Sequence, residues 1–114
     1  MTWRSRSIEW ASGRATGLLA GITATSEVGE QLSVTRYTLA AGAVVPEHVH
    51  DAEEFGQVLS GSLRLTVDGA TTTIGPGEGF LIRGGVPHSA VAEARCDLLE
   101  CYAPPRVPQP GGGR

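Results

Sequence analysis

A chain of 114 residues, 40% apolar and with a formal net charge of −3, fits one compact domain with a small core. All nine cationic side chains are arginine and they form no basic stripe, which argues against nucleic acid and anionic membrane surfaces as partners. No apolar run approaches the roughly 20 residues a membrane helix needs, and the start, MTWRSRSIEW, has arginines with no apolar stretch behind them. A cytoplasmic protein is expected.

Residues 1–12 carry both tryptophans, Trp3 and Trp10, beside Ile8. Such a segment reads as an arm docked on its own domain or on a second copy. Residues 18–22, LLAGI, read as a short strand, and the Thr/Ser/Gly/Glu stretch 23–30 as a loop. Residues 31–39, QLSVTRYTL, are rich in β-branched and aromatic types and predict a strand. Residues 63–67 alternate apolar and polar with period two, Asp68-Gly69 is a two-residue hairpin signal, and Ala70–Ile74 is the partner strand. Gly75–Gly79 must turn, 80–82 is a buried strand, Gly84-Gly85 turns again, and His88–Ala92 and 95–102 close the set.

Between them lies 42–61, GAVVPEHVHDAEEFGQVLSG. It holds two of the three histidines, and its Val, Pro and Gly content argues for strand and turn. On a strand, i and i+2 share a face, so His48 and His50 present adjacent imidazoles while Val49 points away. Asp51-Ala52-Glu53 reads as a tight turn, with Glu54 on the returning strand and Glu53 at the surface. His88 supplies a fourth donor. Three imidazoles and a carboxylate suit one divalent first-row transition metal, Fe, Mn, Ni, Zn or Co. The plainer alternative is an exposed polar strand beside a solvated charge.

At these residues the chain resembles the cupins. Their first motif, G-x5-H-x-H-x3-E-x6-G, is met by Gly42, His48, His50, Glu54 and Gly61. Their second, G-x5-P-x-G-x2-H-x3-N, is met by Gly77, Gly85 and His88, with Arg83 in place of proline and Ala92 in place of asparagine. The resemblance implies an all-β, single-domain antiparallel jelly-roll barrel. Short strands with Gly-rich corners fit the same architecture independently. The domain is expected over 1–106, with 107–114 a disordered Pro/Gly tail.

The chain is further similar to small cupins that linearise unsaturated sugar acids in pectin and alginate breakdown. The shared landmarks are Ile8-Glu9-Trp10, the GAVVP lead into the histidines, and Glu100-Cys101-Tyr102-Ala103-Pro104-Pro105-Arg106. That closing stretch usually reads Asp-x-Phe-Ser-Pro-Pro-Arg, and its acid, aromatic and arginine line the pocket; here they are Glu100, Tyr102 and Arg106. Three positions depart from that pattern, with Glu54 for a metal-binding amide, Glu100 for aspartate and Tyr102 for phenylalanine. The residues themselves agree in part. Glu100 and Tyr102 share a strand face, Glu100 as candidate general base and Tyr102 as hydroxyl donor. Arg106 can clamp a carboxylate bidentately. The alternative is an edge glutamate, a packed tyrosine and a surface arginine. Arg83 reads as a solvated loop residue, and parity leaves open whether Gln57 and Tyr37 line the barrel.

Three imidazoles and one carboxylate leave a divalent ion with a formal +1, so the site favours an anionic or enolisable oxygen ligand. Non-redox lyase, isomerase or cyclase chemistry on a small oxygenated metabolite is the leading expectation. Its alternatives are a Fe/Mn/Ni-dependent dioxygenase and a non-catalytic binding module. Cys96 and Cys101, five residues apart on one strand and hence roughly 16 Å distant, lie beyond disulfide reach. They are read as free thiols of a reducing compartment. A homodimer is expected, with a small molecule as the other partner.

Overall fold

The computed structural model describes residues 4–12 and 15–110. After a single 3₁₀ turn at Trp10–Ser12 the chain forms ten strands: β1 (Thr16–Leu19), β2 (Ile22–Val28), β3 (Ser33–Leu39), β4 (Val44–His48), β5 (Glu53–Ser60), β6 (Leu63–Val67), β7 (Ala70–Ile74), β8 (Gly79–Ile82), β9 (His88–Ala92) and β10 (Cys96–Ala103). They pair antiparallel into a six-stranded sheet ordered β1-β2-β3-β10-β5-β8 and a four-stranded sheet ordered β4-β9-β6-β7. The result is a two-sheet jelly roll with no α-helix among the described residues.

Period-two alternation builds the interior. On β10, Cys96, Leu98, Glu100 and Tyr102 are buried while Asp97, Leu99 and Cys101 lie at intermediate exposure on the other face. Leu63 and Leu65 on β6, Ala90 and Ala92 on β9, and Ile22, Leu39, Val58 and Ile82 complete an apolar cluster between the sheets. Burial of such side chains contributes about 1.5–3 kcal/mol each. The Asp68-Gly69 hairpin forms between β6 and β7 as expected.

Two expectations at the start of the chain are corrected. Residues 18–22 are not one strand: the chain turns at Ala20-Gly21, between β1 and β2. The stretch 23–30, read as loop, is mostly strand β2. Its hydroxyls disguised it, because they are served by cross-strand partners: Ser26 Oγ lies 2.7 Å from Thr35 Oγ1. Trp10 packs on the outer face of the larger sheet, near Thr23, Thr25, Arg36 and Thr38. Trp3 lies outside the described residues, as do 111–114.

Both cysteines are free. Cys96 is fully buried, and burial pushes its thiol up to about 11, while Cys101 faces the other way at intermediate exposure. Ellman's reagent should therefore titrate one thiol in the native protein and two after unfolding. Two fast thiols in the native state would contradict the placement of Cys96.

Candidate functional site

The chain crosses from one sheet to the other between β4 and β5, and the candidate metal ligands gather at that crossing. β4 ends at His48, whose backbone stands opposite His88 of β9 in register. His50 is not on the strand as expected; it sits in the crossing loop, followed by a bend at Asp51-Ala52. The loop is held from below by the second glycine-rich turn. Gly85 N–H donates to the His50 carbonyl at 2.9 Å, and Gly84 lies so close that a Cβ there would fall 2.1 Å from the Asp51 carbonyl oxygen. Val49 faces solvent and Glu53 is exposed, both as read from the sequence.

The three imidazoles present nitrogens that all lie within 4.8 Å of one another. Each ring's Nδ1 faces a backbone carbonyl: Pro46 for His48 (2.9 Å), Ala52 for His50 (2.9 Å) and Val86 for His88 (2.8 Å). A carbonyl can only accept, so each Nδ1 carries the hydrogen and each neutral ring turns a bare Nε2 lone pair inward. Glu54 Oε1 stands 2.9 Å from His50 Nε2 and 3.1 Å from His88 Nε2. Nevertheless His50 Nε2, His88 Nε2 and Glu54 Oε1 are buried without a completed hydrogen bond. Lone pairs and a carboxylate oxygen converging in a buried space repel one another unless a cation stands among them. The donor set fits a metal ion, and His48, His50 and His88 form a cluster that could hold one.

Burial alone would lower His88, but Glu54 beside it and the Val86 carbonyl raise it. Burial alone would raise Glu54, yet the neighbouring His50 and His88 imidazoles hold its carboxyl far below the usual range. His48 is lowered, chiefly by burial.

Sheet register sets the rest of the site. On β10, Tyr102 stands opposite Glu54 of β5 on one side and Ser33 of β3 on the other. Two residues along the same inward face, Glu100 stands opposite Gly56. Tyr102 donates to Glu100 Oε1 at 2.5 Å, and Tyr37 Oη lies 2.6 Å from Tyr102 Oη. Since Tyr102 gives its proton to Glu100, Tyr37 is the donor of that second bond. The chain Tyr37–Tyr102–Glu100 thus runs toward Glu54, whose charge acts on Glu100. Burial first and the Glu54 charge second raise Glu100 well above a normal glutamate. A glutamate raised in this way suits proton donation as well as the general-base role read from the sequence. Burial and the Glu100 charge raise both tyrosines, which stay hydroxyl donors.

Arg106 lies with its guanidinium 5.4 Å from the centroid of the Tyr102 ring. Its backbone is gripped at both ends by one hydroxyl: Arg106 N–H donates to Ser33 Oγ at 2.8 Å, and Ser33 Oγ donates to the Arg106 carbonyl at 2.9 Å. His48, Glu54, His88, Glu100, Tyr102 and Arg106 all line one cavity of about 190 Å³. Tyr37 lines it too, whereas Gln57 faces outward at intermediate exposure, and Arg83 is exposed and away from the cavity. Pro108 and Gln109, from the segment expected to be tail, also border the cavity. Parity alone did not assign Ser33 or Tyr37; with Leu39 fixed inward by the structure, every second residue of β3 faces the same way.

Comparison with known proteins agrees with this architecture. A family model described as Cupin domain matches residues 35–102. No curated protein matches the chain in sequence. Among solved structures, KdgF from Halomonas sp. superposes with a TM-score of 0.80 at 22% identity, covering 84% of this chain and 90% of that one. An RmlC-like cupin from Shewanella frigidimarina gives 0.85 at 20% identity, over 93% and 96%. A salicylate 1,2-dioxygenase variant from Pseudoaminobacter salicylatoxidans, in complex with gentisate, gives 0.74 at 23% identity, over 76% of this chain and 26% of that one. With the family match spanning more than half of its length, on a jelly roll that carries both histidine motifs, this chain belongs to the cupins.

Proposed function

We propose that this cupin is a metal-dependent enzyme that moves a proton on a small, anionic or enolisable metabolite without redox chemistry, as a lyase, isomerase or cyclase. The observation that carries the reading is the Tyr37–Tyr102–Glu100 hydrogen-bond chain, which opens on the same cavity as His48, His88 and Arg106. His48, His50, Glu54 and His88 would hold the ion, Glu54 as the one anionic ligand. A divalent ion there supplies Lewis-acid stabilisation of negative charge developing on a substrate oxygen. Arg106 binds the substrate carboxylate, with its backbone fixed by Ser33. Glu100 delivers a proton to the reacting carbon or leaving oxygen, and Tyr102, itself backed by Tyr37, steadies the carboxylate left behind. The apolar wall keeps water from that carboxylate.

The fold likeness to KdgF suits this reading, and the likeness to a gentisate-bound dioxygenase supports a second, in which the same ligand set serves dioxygen chemistry. Deuterium wash-in from D₂O beside the carbonyl of a 2-oxo acid, followed by NMR under nitrogen, separates them. The wild type should exchange without oxygen, and Glu100→Gln should slow exchange by about a hundredfold or more. Turnover that stops without oxygen would replace the first reading with the second. A ligand bound and never converted would make the protein a binding module. The reading takes the protein as a homodimer, supported by Phe55, Leu59 and Leu81 (74% exposed) on the outer face of the larger sheet. Light scattering would report a monomer if that is wrong.

A further inference from the structure

We propose that the cavity selects a small carboxylic acid with an apolar body, an aryl or short alkyl acid, over a polyhydroxylated sugar acid. The inference rests on the proposed reading only for the acid's anionic head; the body is argued from the wall.

The wall changes character two residues along each inward-facing strand. On β9 His88 gives way to Ala90, on β10 Glu100 gives way to Leu98, and on β3 Tyr37 gives way to Leu39. Beyond that level the lining is aliphatic, with Leu18 and Leu19 of β1, Ile22 of β2, Val45 of β4 and Leu65 of β6. None of these side chains can donate or accept a hydrogen bond. Of the polar groups at the other level, Tyr37 is committed to Tyr102, Tyr102 to Glu100, His48 Nδ1 to the Pro46 carbonyl and Gln109 Nε2 to the Val107 carbonyl. That leaves Arg106 for the acid's head and Glu47 and Ser89 as the other polar side chains at the cavity.

A sugar acid brings several ring hydroxyls, and each must keep a partner when it leaves water or the complex is weakened. At the aliphatic level none is offered. An aryl or alkyl group loses nothing there and gains by leaving water. The size agrees. An aliphatic cavity of about 150 Å³ takes up benzene, and this one measures about 190 Å³. It therefore has room for one ring with a short acid side arm, or a chain of similar bulk.

The test is a calorimetric titration of the purified protein with benzoate, hexanoate and glucuronate, run both with Zn²⁺ and metal-free. Benzoate or hexanoate should bind at least about tenfold more tightly than glucuronate. Glucuronate binding as tightly or more tightly, or no binding by either apolar acid, overturns the inference. Leu18→Ser with Leu19→Ser is the matching variant, because both side chains are only partly buried on an edge strand and the fold has least to lose there. It should erase the preference while keeping Zn²⁺ affinity; an unchanged preference in the folded variant also overturns the inference. The two proposals fail separately. Absence of proton exchange removes the reaction and leaves the ranking, whereas a reversed ranking removes the apolar-bodied ligand and leaves the reaction.

Discussion

Chelator should lower the thermal midpoint of this protein by about 10 °C relative to protein supplied with a transition metal ion, and His88→Ala should abolish that difference. A ligand that binds only the folded state at a hundred times its dissociation constant stabilises it by about 2.7 kcal/mol. For a chain of this size 1 kcal/mol moves the midpoint by about 4 °C. The expectation follows from the bare Nε2 atoms of His50 and His88 and Oε1 of Glu54, buried without hydrogen bonds and facing one another. Adding a cation relieves that repulsion, and removing one imidazole removes a donor held in place by its Val86 carbonyl. Loss of a residue that merely orients a ligand costs about 10–100-fold in metal affinity, so loss of the ligand itself should cost at least a hundredfold. Differential scanning fluorimetry with and without chelator reads both effects. A midpoint that ignores chelator and added transition ions alike would mean that no cation joins these groups.

Gly61→Ala should destabilise the fold by about 2–5 kcal/mol, a large part of the roughly 5–15 kcal/mol a domain of this size possesses. Two causes add. Gly61 has φ +87°, a left-handed conformation that costs an L side chain about 1–2 kcal/mol. Its Cβ would also fall 1.9 Å from the Arg95 carbonyl oxygen, which is backbone and cannot rotate away, and forced overpacking costs about 1–3 kcal/mol. The residue that closes the first histidine motif is therefore a packing requirement, where the bend after β5 meets the start of β10. Gly69→Ala is the control. Gly69 has a similar φ of +83° but nothing within 4 Å of its would-be Cβ, so only the smaller, conformational cost should appear. Urea denaturation of the two variants separates the causes, and equal losses would show that the close approach to Arg95 does not matter.

The site was more legible than the sheet order. His48, His50, Glu54 and His88 stood out because the chain has only three histidines, set at spacings in Gly/Pro-rich stretches. That reasoning put both first-motif histidines on one strand and a hairpin after them. The chain instead leaves β4 at His48 and changes sheets, so convergence comes from a loop held by Gly85 on the His50 carbonyl. Long-range pairing of this kind leaves no local mark. The β2 strand was hidden for another reason: its Thr and Ser residues look like loop composition until a partner strand satisfies their hydroxyls. Glu100 and Tyr102 were placed on one face correctly by parity. The raised carboxyl of Glu100 was not readable, since it depends on burial between the sheets and then on Glu54 arriving from β5 across the sheet. Ser33, next to Leu32 and in no motif, shows its role only once the closing segment lies over it.

The proposed chemistry needs one arrangement, a single cation shared by side chains from β4, the crossing loop, β5 and β9. Crystals of the protein loaded with one equivalent of a transition metal, measured at that metal's absorption edge, test it directly. A lone anomalous peak among the three Nε2 atoms and Glu54 Oε1 is the predicted result; a peak elsewhere, or none at all, would contradict it.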